Sequence, residues 1–190
     1  MAVELRTLIS STTQSVKDSH PLPVASMNPK RIRGTLNSVS PGVIAAAGNY
    51  AALDVISHSA TVGVAWVFDA VARGNGLGGY IVGATIASDS AAMVARTRLY
   101  LFDANPSGCN FNDNVANSIV IADQAKLLGY IDFPALVDIG TICAAQNITD
   151  RLCFKCASGD DAIYGILVFL DAETNETASM TVDIHLHVDS

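Results

Sequence analysis

The stretch Thr181-Val182-Asp183-Ile184-His185-Leu186-His187-Val188 alternates polar and apolar side chains at every position. A period of two is the pattern of a β-strand with one buried and one exposed face. Met180 to Val188 is therefore the clearest element of the chain, and it predicts a sheet that lies on a hydrophobic core.

The rest of the chain after residue 31 has a similar texture. Short runs rich in β-branched and aromatic residues are separated by Gly, Pro, Asn and Asp, and a turn or two of helix is expected only around Asp123 to Leu128. Many closely spaced strands predict an all-β fold. The further strand candidates are Ile32 to Val39, Ala51 to Ser57, Val62 to Val71, Gly79 to Ser88, Arg96 to Asp103, Ser118 to Ala122, Gly129 to Phe133, Arg151 to Ala157 and Ala162 to Leu170.

One of these candidates, Ala162 to Leu170, is apolar on both faces. Such a strand is covered on both sides, either within its own chain or on one side by another subunit. We take subunit packing as the hypothesis, because it also accounts for the composition.

The composition is that of a folded domain with an apolar excess. The 190 residues suit one domain, 50% of them are hydrophobic and 15% are charged. Disorder is excluded, and no apolar run approaches the roughly 20 residues of a membrane helix. The first ten residues contain Glu4 and Arg6, so we expect no secretory signal. A protein partner is the simplest cover for the apolar excess.

The charge divides the chain into two parts. Residues 1–33 hold five basic and two acidic side chains and are rich in Ser, Thr and Pro, whereas residues 34–190 hold six basic and sixteen acidic side chains. We predict an extended N-terminal arm over 1–33 and a β-sandwich domain over 34–190. The acidic body argues against nucleic acid as a partner.

Two loop motifs resemble ligand sites without meeting their requirements. Gly74 to Gly79 fits G-x-G-x-x-G, but strand-like residues follow it where a dinucleotide site needs a helix. Asp103 to Gly108 imitates the start of a calcium loop, yet it contains Pro106 and ends on Asn114 rather than a glutamate. Both are interpreted as turns, with a cation site from Asp103, Asn105 and Asp113 as the minor alternative.

Two pairs of side chains are candidate metal or redox groups. Cys153 and Cys156 form a C-x-x-C in a predicted strand, which directs them to opposite faces and favours structural thiols. His185 and His187 share a strand face with Asp183, but two exposed histidines are the preferred interpretation. Because no nucleophile has an activating base nearby in sequence, we expect neither an enzyme nor a bound metal or cofactor.

One predicted strand carries an interface-like pattern. Arginine beside aromatic side chains is typical of protein contact surfaces. The side chains that share this face are Arg96, Arg98, Tyr100 and Phe102, and they are the candidate subunit interface.

Residues 97–135 resemble a family of structural proteins from tailed bacteriophages. The resemblance lies in the strand and loop Leu99 to Ser107 (LYLFDANPS), in Phe111-x-Asp113-Asn114, and in Ala125 to Phe133 (AKLLGYIDF). It implies a jelly-roll-like antiparallel β-sandwich that decorates the outer surface of the phage head. The resemblance also implies binding to the major capsid protein as a homotrimer, in a virion assembled in the host cytoplasm.

On this hypothesis the arm contacts the capsid, and no nucleic acid or membrane takes part. The alternatives are a head-fibre base, a neck or tail adaptor, or a host-glycan-binding β-sandwich. The basic side chains expected to contact the capsid are Arg6, Lys17, Lys30, Arg31 and Arg33.

Overall fold

The computed structural model describes residues 29–45, 48–148, 151–174 and 180–190. These residues form twelve strands and one 3-10 helix, Ile121–Lys126. The strands are β1 (Pro29–Arg33), β2 (Thr35–Leu36), β3 (Gly42–Val43), β4 (Trp66–Phe68), β5 (Gly78–Ser88), β6 (Thr97–Phe102), β7 (Leu127–Phe133), β8 (Val137–Asp138), β9 (Cys143–Asn147), β10 (Leu152–Lys155), β11 (Ile163–Phe169) and β12 (Thr181–Asp189). In this part of the chain there is no helix that could cross a membrane.

The strands form two antiparallel sheets that pack as a sandwich, which confirms the predicted fold class. Sheet A has the order β1-β12-β5-β9-β8, with β3 and β10 attached, and sheet B has the order β2-β4-β11-β6-β7. The first strand pairs with the last, and β4 pairs with β11, the last strand but one. This nested pairing across two sheets is the wrapping of a jelly roll.

The core between the sheets is built from alternate residues of each strand. In β12 the side chains of Val182, Ile184, Leu186 and Val188 are fully buried, as the period of two predicts. They face the inner side chains of β11 and β6, among them Leu167, Phe169 and Leu99. The alternation that is visible in the sequence therefore sets the position of sheet A.

The predicted boundary of the arm is wrong by five residues. Pro29–Arg33 is strand β1, and Ile32 lies opposite Leu186 and packs on the core. The arm prediction misses this strand because it is short and basic, although Arg31 and Arg33 alternate with Ile32 as in any edge strand. Residues 1–28 lie outside the described residues.

The subunit hypothesis for Ala162 to Leu170 is also corrected. The outer face of β11 is buried, but it is covered by the same chain. Val168 and Ile166 pack with Val55 and Cys109, and Cys109 belongs to the loop that follows β6. We name residues 103–120 the covering loop. An irregular loop has no period, so its position over the sheet cannot be read from the sequence.

Several strand boundaries differ from the prediction. Ala51 to Ser57 and Ser118 to Ala122 are not strands, and Val62 to Val71 contains only β4. The β8–β9 hairpin is absent from the prediction, because its small side chains Ala144 and Ala145 carry little β signal.

Candidate functional site

Sheet B presents an exposed cluster of one arginine and two tyrosines on its outer face. The Arg98 guanidinium lies 4.0 Å from the ring centroid of Tyr130 and 5.7 Å from that of Tyr100. The two rings meet edge to face with centroids 6.1 Å apart. Tyr130 is 54% exposed. We call Arg98, Tyr100, Tyr130 and Asp132 the Arg–Tyr platform.

An aspartate fixes the arginine of this platform. Arg98 donates two hydrogen bonds to Asp132, of 2.6 and 2.9 Å, and a further one of 3.5 Å to the Tyr100 hydroxyl. Because Asp132 accepts these hydrogen bonds, the pKa of Arg98 is raised further above its ordinary value. The arrangement offers two tyrosine rings, set edge to face, beside a preoriented cation, the composition found at interface anchors.

The other two members of the predicted interface lie elsewhere. Phe102 is fully buried beneath the covering loop, so its assignment to a subunit interface is wrong. It shares the strand face of Arg98, as predicted, but that face is open at one end of β6 and covered at the other. Arg96 is exposed and donates two hydrogen bonds to Asp171, of 2.9 and 2.7 Å, away from the platform.

Two of the four platform residues, Tyr130 and Asp132, are not among the residues predicted from the sequence. Both lie on β7, where Tyr130 pairs with Tyr100 and Asp132 pairs with Arg98 across the ladder. A bulge at Gly129, which has a φ of 148°, shifts the register just before them. The alternation Tyr130-x-Asp132 is a possible signal in the sequence, but only the strand pairing places it beside Arg98.

The predicted basic arm divides between described and undescribed residues. Arg6 and Lys17 lie outside the described residues. Lys30, Arg31 and Arg33 lie in β1, and only Arg31 and Arg33 face outward from sheet A. Residues 1–28 hold two basic and two acidic side chains, so the positive charge assigned to the arm is located on this edge strand.

The outer face of sheet A carries the His-x-His motif. Arg33 donates two 2.8 Å hydrogen bonds to Asp183, whereas Arg31 Nη2 lies 3.2 Å from Nδ1 of His185. Burial lowers the pKa of His185, and the nearby arginines act in the same direction while Asp183 opposes them. Nδ1 of His185 accepts a hydrogen bond from Arg31 when this nitrogen carries no proton, and the lowered pKa favours that state.

A groove of about 380 Å³ crosses this face beside His185. Its floor is made of small side chains of β5 and β9, among them Thr85, Ala87 and Ala144, and Arg31 lies at its rim. Across the described residues, no three His, Cys, Asp or Glu side chains are grouped to hold a metal ion. Asp183 is engaged by Arg33 instead of completing a ligand set with the histidines.

The C-x-x-C pair has the geometry predicted for a strand. Cys153 is exposed and Cys156 is buried, and both are free thiols. Burial, together with nearby aspartates, raises the pKa of Cys156 to about 11. A thiol with so high a pKa is a poor nucleophile at neutral pH, which favours the structural interpretation of the pair.

The covering loop is attached by a buried aspartate. Asp113 accepts hydrogen bonds from the Tyr50 hydroxyl, at 2.8 Å, and from the Ser57 amide, at 2.7 Å. Burial raises its pKa to about 6. Asp113 is thus occupied in the fold and does not join Asp103 and Asn105 in a cation site.

A second attachment lies at the end of the covering loop. Asp123 accepts a hydrogen bond from the Gly108 amide and pairs with Lys126 at 2.7 Å. Lys126 also donates to the Asn105 carbonyl at 2.9 Å. Residues 97–133 therefore form one structural unit, which comprises β6, the covering loop, the 3-10 helix and β7.

No family model matches the chain, and no curated protein matches it. Among solved structures, PRD1 vertex protein P5 is 10% identical, with a TM-score of 0.32; the match covers 86% of this chain and 98% of that chain. A heated full particle of Israeli acute paralysis virus is also 10% identical, with a TM-score of 0.27 and coverage of 91% and 72%. The structure of a marine algae virus of the order Picornavirales is 10% identical, with a TM-score of 0.22; this match covers 91% of this chain and 72% of that chain. These scores are low, so the fold assignment rests on the strand order described above.

Proposed function

We propose that the protein is a non-enzymatic structural component of a phage virion. In this proposal it decorates the outside of the head by binding the major capsid protein as a homotrimer. The observation that carries the proposal is the segment 97–135, whose resemblance to phage structural proteins coincides with a single unit of the fold. That unit ends in the exposed Arg–Tyr platform.

The jelly roll supports this function in general terms, since viral capsid proteins use it repeatedly. The same wrapping also serves lectins and cupins, so the fold alone does not assign the activity. The surface is more informative. Tyr130 of β7 is 54% exposed and Val137 of β8 is 63% exposed. Large apolar side chains that remain in water favour a protein contact there.

The two sheets are also joined where β7 and β9 meet. The Asn147 side chain of β9 donates a hydrogen bond to the Asp132 carbonyl of β7. We assign the Arg–Tyr platform of sheet B and the β8–β9 hairpin of sheet A to contact between subunits, and residues 1–28 to contact with the shell.

Trimerisation increases the effect of weak arm contacts. Once one arm is bound, the other two are held near the shell at a high effective concentration. The protein then clamps neighbouring capsomers without a deep binding pocket. This mechanism requires three copies of the arm on one rigid body.

A deletion of residues 1–28 tests the role of the arm. The shortened chain begins at Pro29 and so retains β1, which a deletion to Gly34 would remove. We expect an unchanged trimer by light scattering and shell binding weakened at least tenfold in a sedimentation assay with capsids. Equal binding by both chains would assign the contact to the sandwich instead.

The copy number in the particle separates decoration from the adaptor alternatives. Electron cryomicroscopy of the virion is expected to show the protein in copies on the order of hundreds, at threefold or quasi-threefold positions. A dozen copies or fewer at a single vertex would instead indicate a neck, tail or fibre adaptor.

A further inference from the structure

The groove on the outer face of sheet A lacks a partner for its cation. Three described arginines, Arg33, Arg96 and Arg98, each form a twofold hydrogen-bonded pair with an aspartate. Arg31 has no carboxylate partner among the described residues, and its guanidinium contacts the imidazole of His185 instead. A guanidinium fork of this kind is suited to a carboxylate from outside the chain.

The groove floor has two further features that suit an incoming side chain. Thr85 Oγ1 is buried and has no hydrogen-bond partner within the described part of the chain. Ala87 and Ala144 lie in register across β5 and β9 and leave room above the sheet. The site thus combines a cation, a free hydroxyl and a shallow apolar floor. Its complement is a carboxylate flanked by apolar side chains.

The chain itself carries such a complement at the opposite edge of sheet A. Val137, Asp138 and Ile139 are consecutive and exposed, and the two apolar members are 63% and 61% exposed. The turn is closed by the Ile139 amide, which donates to the Ile142 carbonyl at 3.0 Å. One Asp138 oxygen accepts from the Gly140 amide at 2.8 Å, and the other remains available.

A single copy cannot join these two patches. Arg31 on β1 and Asp138 on β8 are separated by β12, β5 and β9. Through the strand pairing Arg31 is level with Gly83 of β5 and Asp138 with Ser88, so four strand spacings and five residues along the strand place them about 25 Å apart. Two different patches that complement each other across copies form a head-to-tail contact, and such contacts close into rings when the rotation permits. This is the type of contact that a trimer with threefold symmetry needs.

We propose that the β8–β9 hairpin of one copy docks in the groove of the next, with Asp138 paired with Arg31. The exposed hairpin tip then covers the groove beside this pair. This inference rests on the proposed homotrimer and specifies its contact.

A charge exchange tests the pairing. Arg31→Glu and Asp138→Arg each place like charges opposite one another, and the double variant restores an opposite pair. We expect each single variant to raise the trimer dissociation constant at least tenfold, as measured by analytical ultracentrifugation. The double variant should recover most of this loss.

Controls separate this contact from general effects of charge. Lys155→Glu and Asp69→Arg reverse exposed charges elsewhere and should leave the trimer intact, and circular dichroism verifies folding. If a single variant fails to fold, Arg31→Gln and Asp138→Asn replace it, and each should weaken the trimer.

The outcomes distinguish the contact from the function. If both single variants form a trimer as stable as that of the wild type, the pairing is overturned but the decoration role is not. The same holds if the double variant does not recover the stability of the trimer. A wild-type chain that is monomeric at micromolar concentration would overturn the trimer itself and the pairing with it. A charge-reversible dimer would support the pairing and overturn the threefold ring.

Discussion

The outer faces of the two sheets differ in their exposure to solvent. On sheet B the covering loop seals one end of the face, where Phe102 and Val168 are fully buried. On sheet A the outer face is open, and Thr85 and Ala87 line a groove instead of supporting a second layer. The apolar excess of the composition is thus partly hidden within the chain. What remains exposed includes large apolar side chains, among them Tyr130, Val137 and Ile139.

Residues that stabilise the fold of one copy differ from those that are expected to mediate association between copies. Residues under the covering loop contribute to the fold of one copy, because their surface is removed from water in the monomer. The exposed side chains Arg31, Val137, Asp138 and Tyr130 contribute less to that fold, because they remain in contact with water in the monomer. Variants of the two groups should therefore change different measurements.

Removal of the largest side chain under the covering loop should have the largest effect. Phe102→Ala leaves a cavity in a fully buried cluster and is expected to cost about 3–5 kcal/mol of unfolding free energy. Urea unfolding measures this loss. The exposed Tyr130→Ala on the same sheet face serves as the matched control and should cost far less. A loss below about 1 kcal/mol in Phe102→Ala would mean that the loop does not seal the face in solution.

The Asp113 attachment should give the covered face a pH dependence. Its pKa is raised from 3.8 to about 6 in the folded state, so the folded state binds the proton more tightly than the unfolded state. The associated stability is complete below pH 4 and is lost as the pH rises to 6, by about 3 kcal/mol. Asp113→Asn removes the ionisation, and its amide can still bond to Tyr50 and Ser57.

Chemical unfolding between pH 4 and 7 measures this contribution. The difference in stability between wild type and Asp113→Asn should increase with pH over this interval, in favour of the variant. The exposed Asp69→Asn is the control and should leave the wild-type slope unchanged. Identical slopes for wild type and Asp113→Asn would contradict the assignment.

The Arg–Tyr platform should affect association more than folding. Tyr130→Ala removes the ring that lies 4.0 Å from the Arg98 guanidinium and is expected to weaken the trimer by about tenfold, or 1–2 kcal/mol. Sedimentation measures the trimer, and urea unfolding at low concentration measures the fold. Tyr80→Ala is a matched control, because Tyr80 is 42% exposed and lies 5.7 Å from the Arg151 guanidinium on sheet A. Equal effects of the two variants would argue against a specific role for the platform.

The elements predicted best are those with a strict period. The alternation of β12 follows directly from its residues, and β5, β6 and β11 are close to their predicted bounds. The failures have physical causes. The hairpin strand Cys143–Asn147 has small side chains with weak β preference, and its place in sheet A depends on pairing with β5.

The candidate site was predictable only in part. Arg98 and Tyr100 are recognisable because they alternate on one strand, and the same rule correctly places Phe102 on their face. Exposure along that face is a separate property. It depends on the covering loop, whose irregular residues form backbone hydrogen bonds with the segment from Leu53 to Ser59, and that segment is in turn hydrogen-bonded to β11. Periodicity carries no information about such contacts.

The sequence by itself therefore determined the all-β class, the inward face of the regular strands and the low charge of the surface. These properties are local, because each depends on the alternation or the composition of neighbouring residues. Only the tertiary structure decided that β1 belongs to the sandwich, that Tyr130 lies beside Arg98, and that Arg31 and Asp138 occupy opposite edges of one sheet. These relations join residues distant in sequence, and strand order and register fix them.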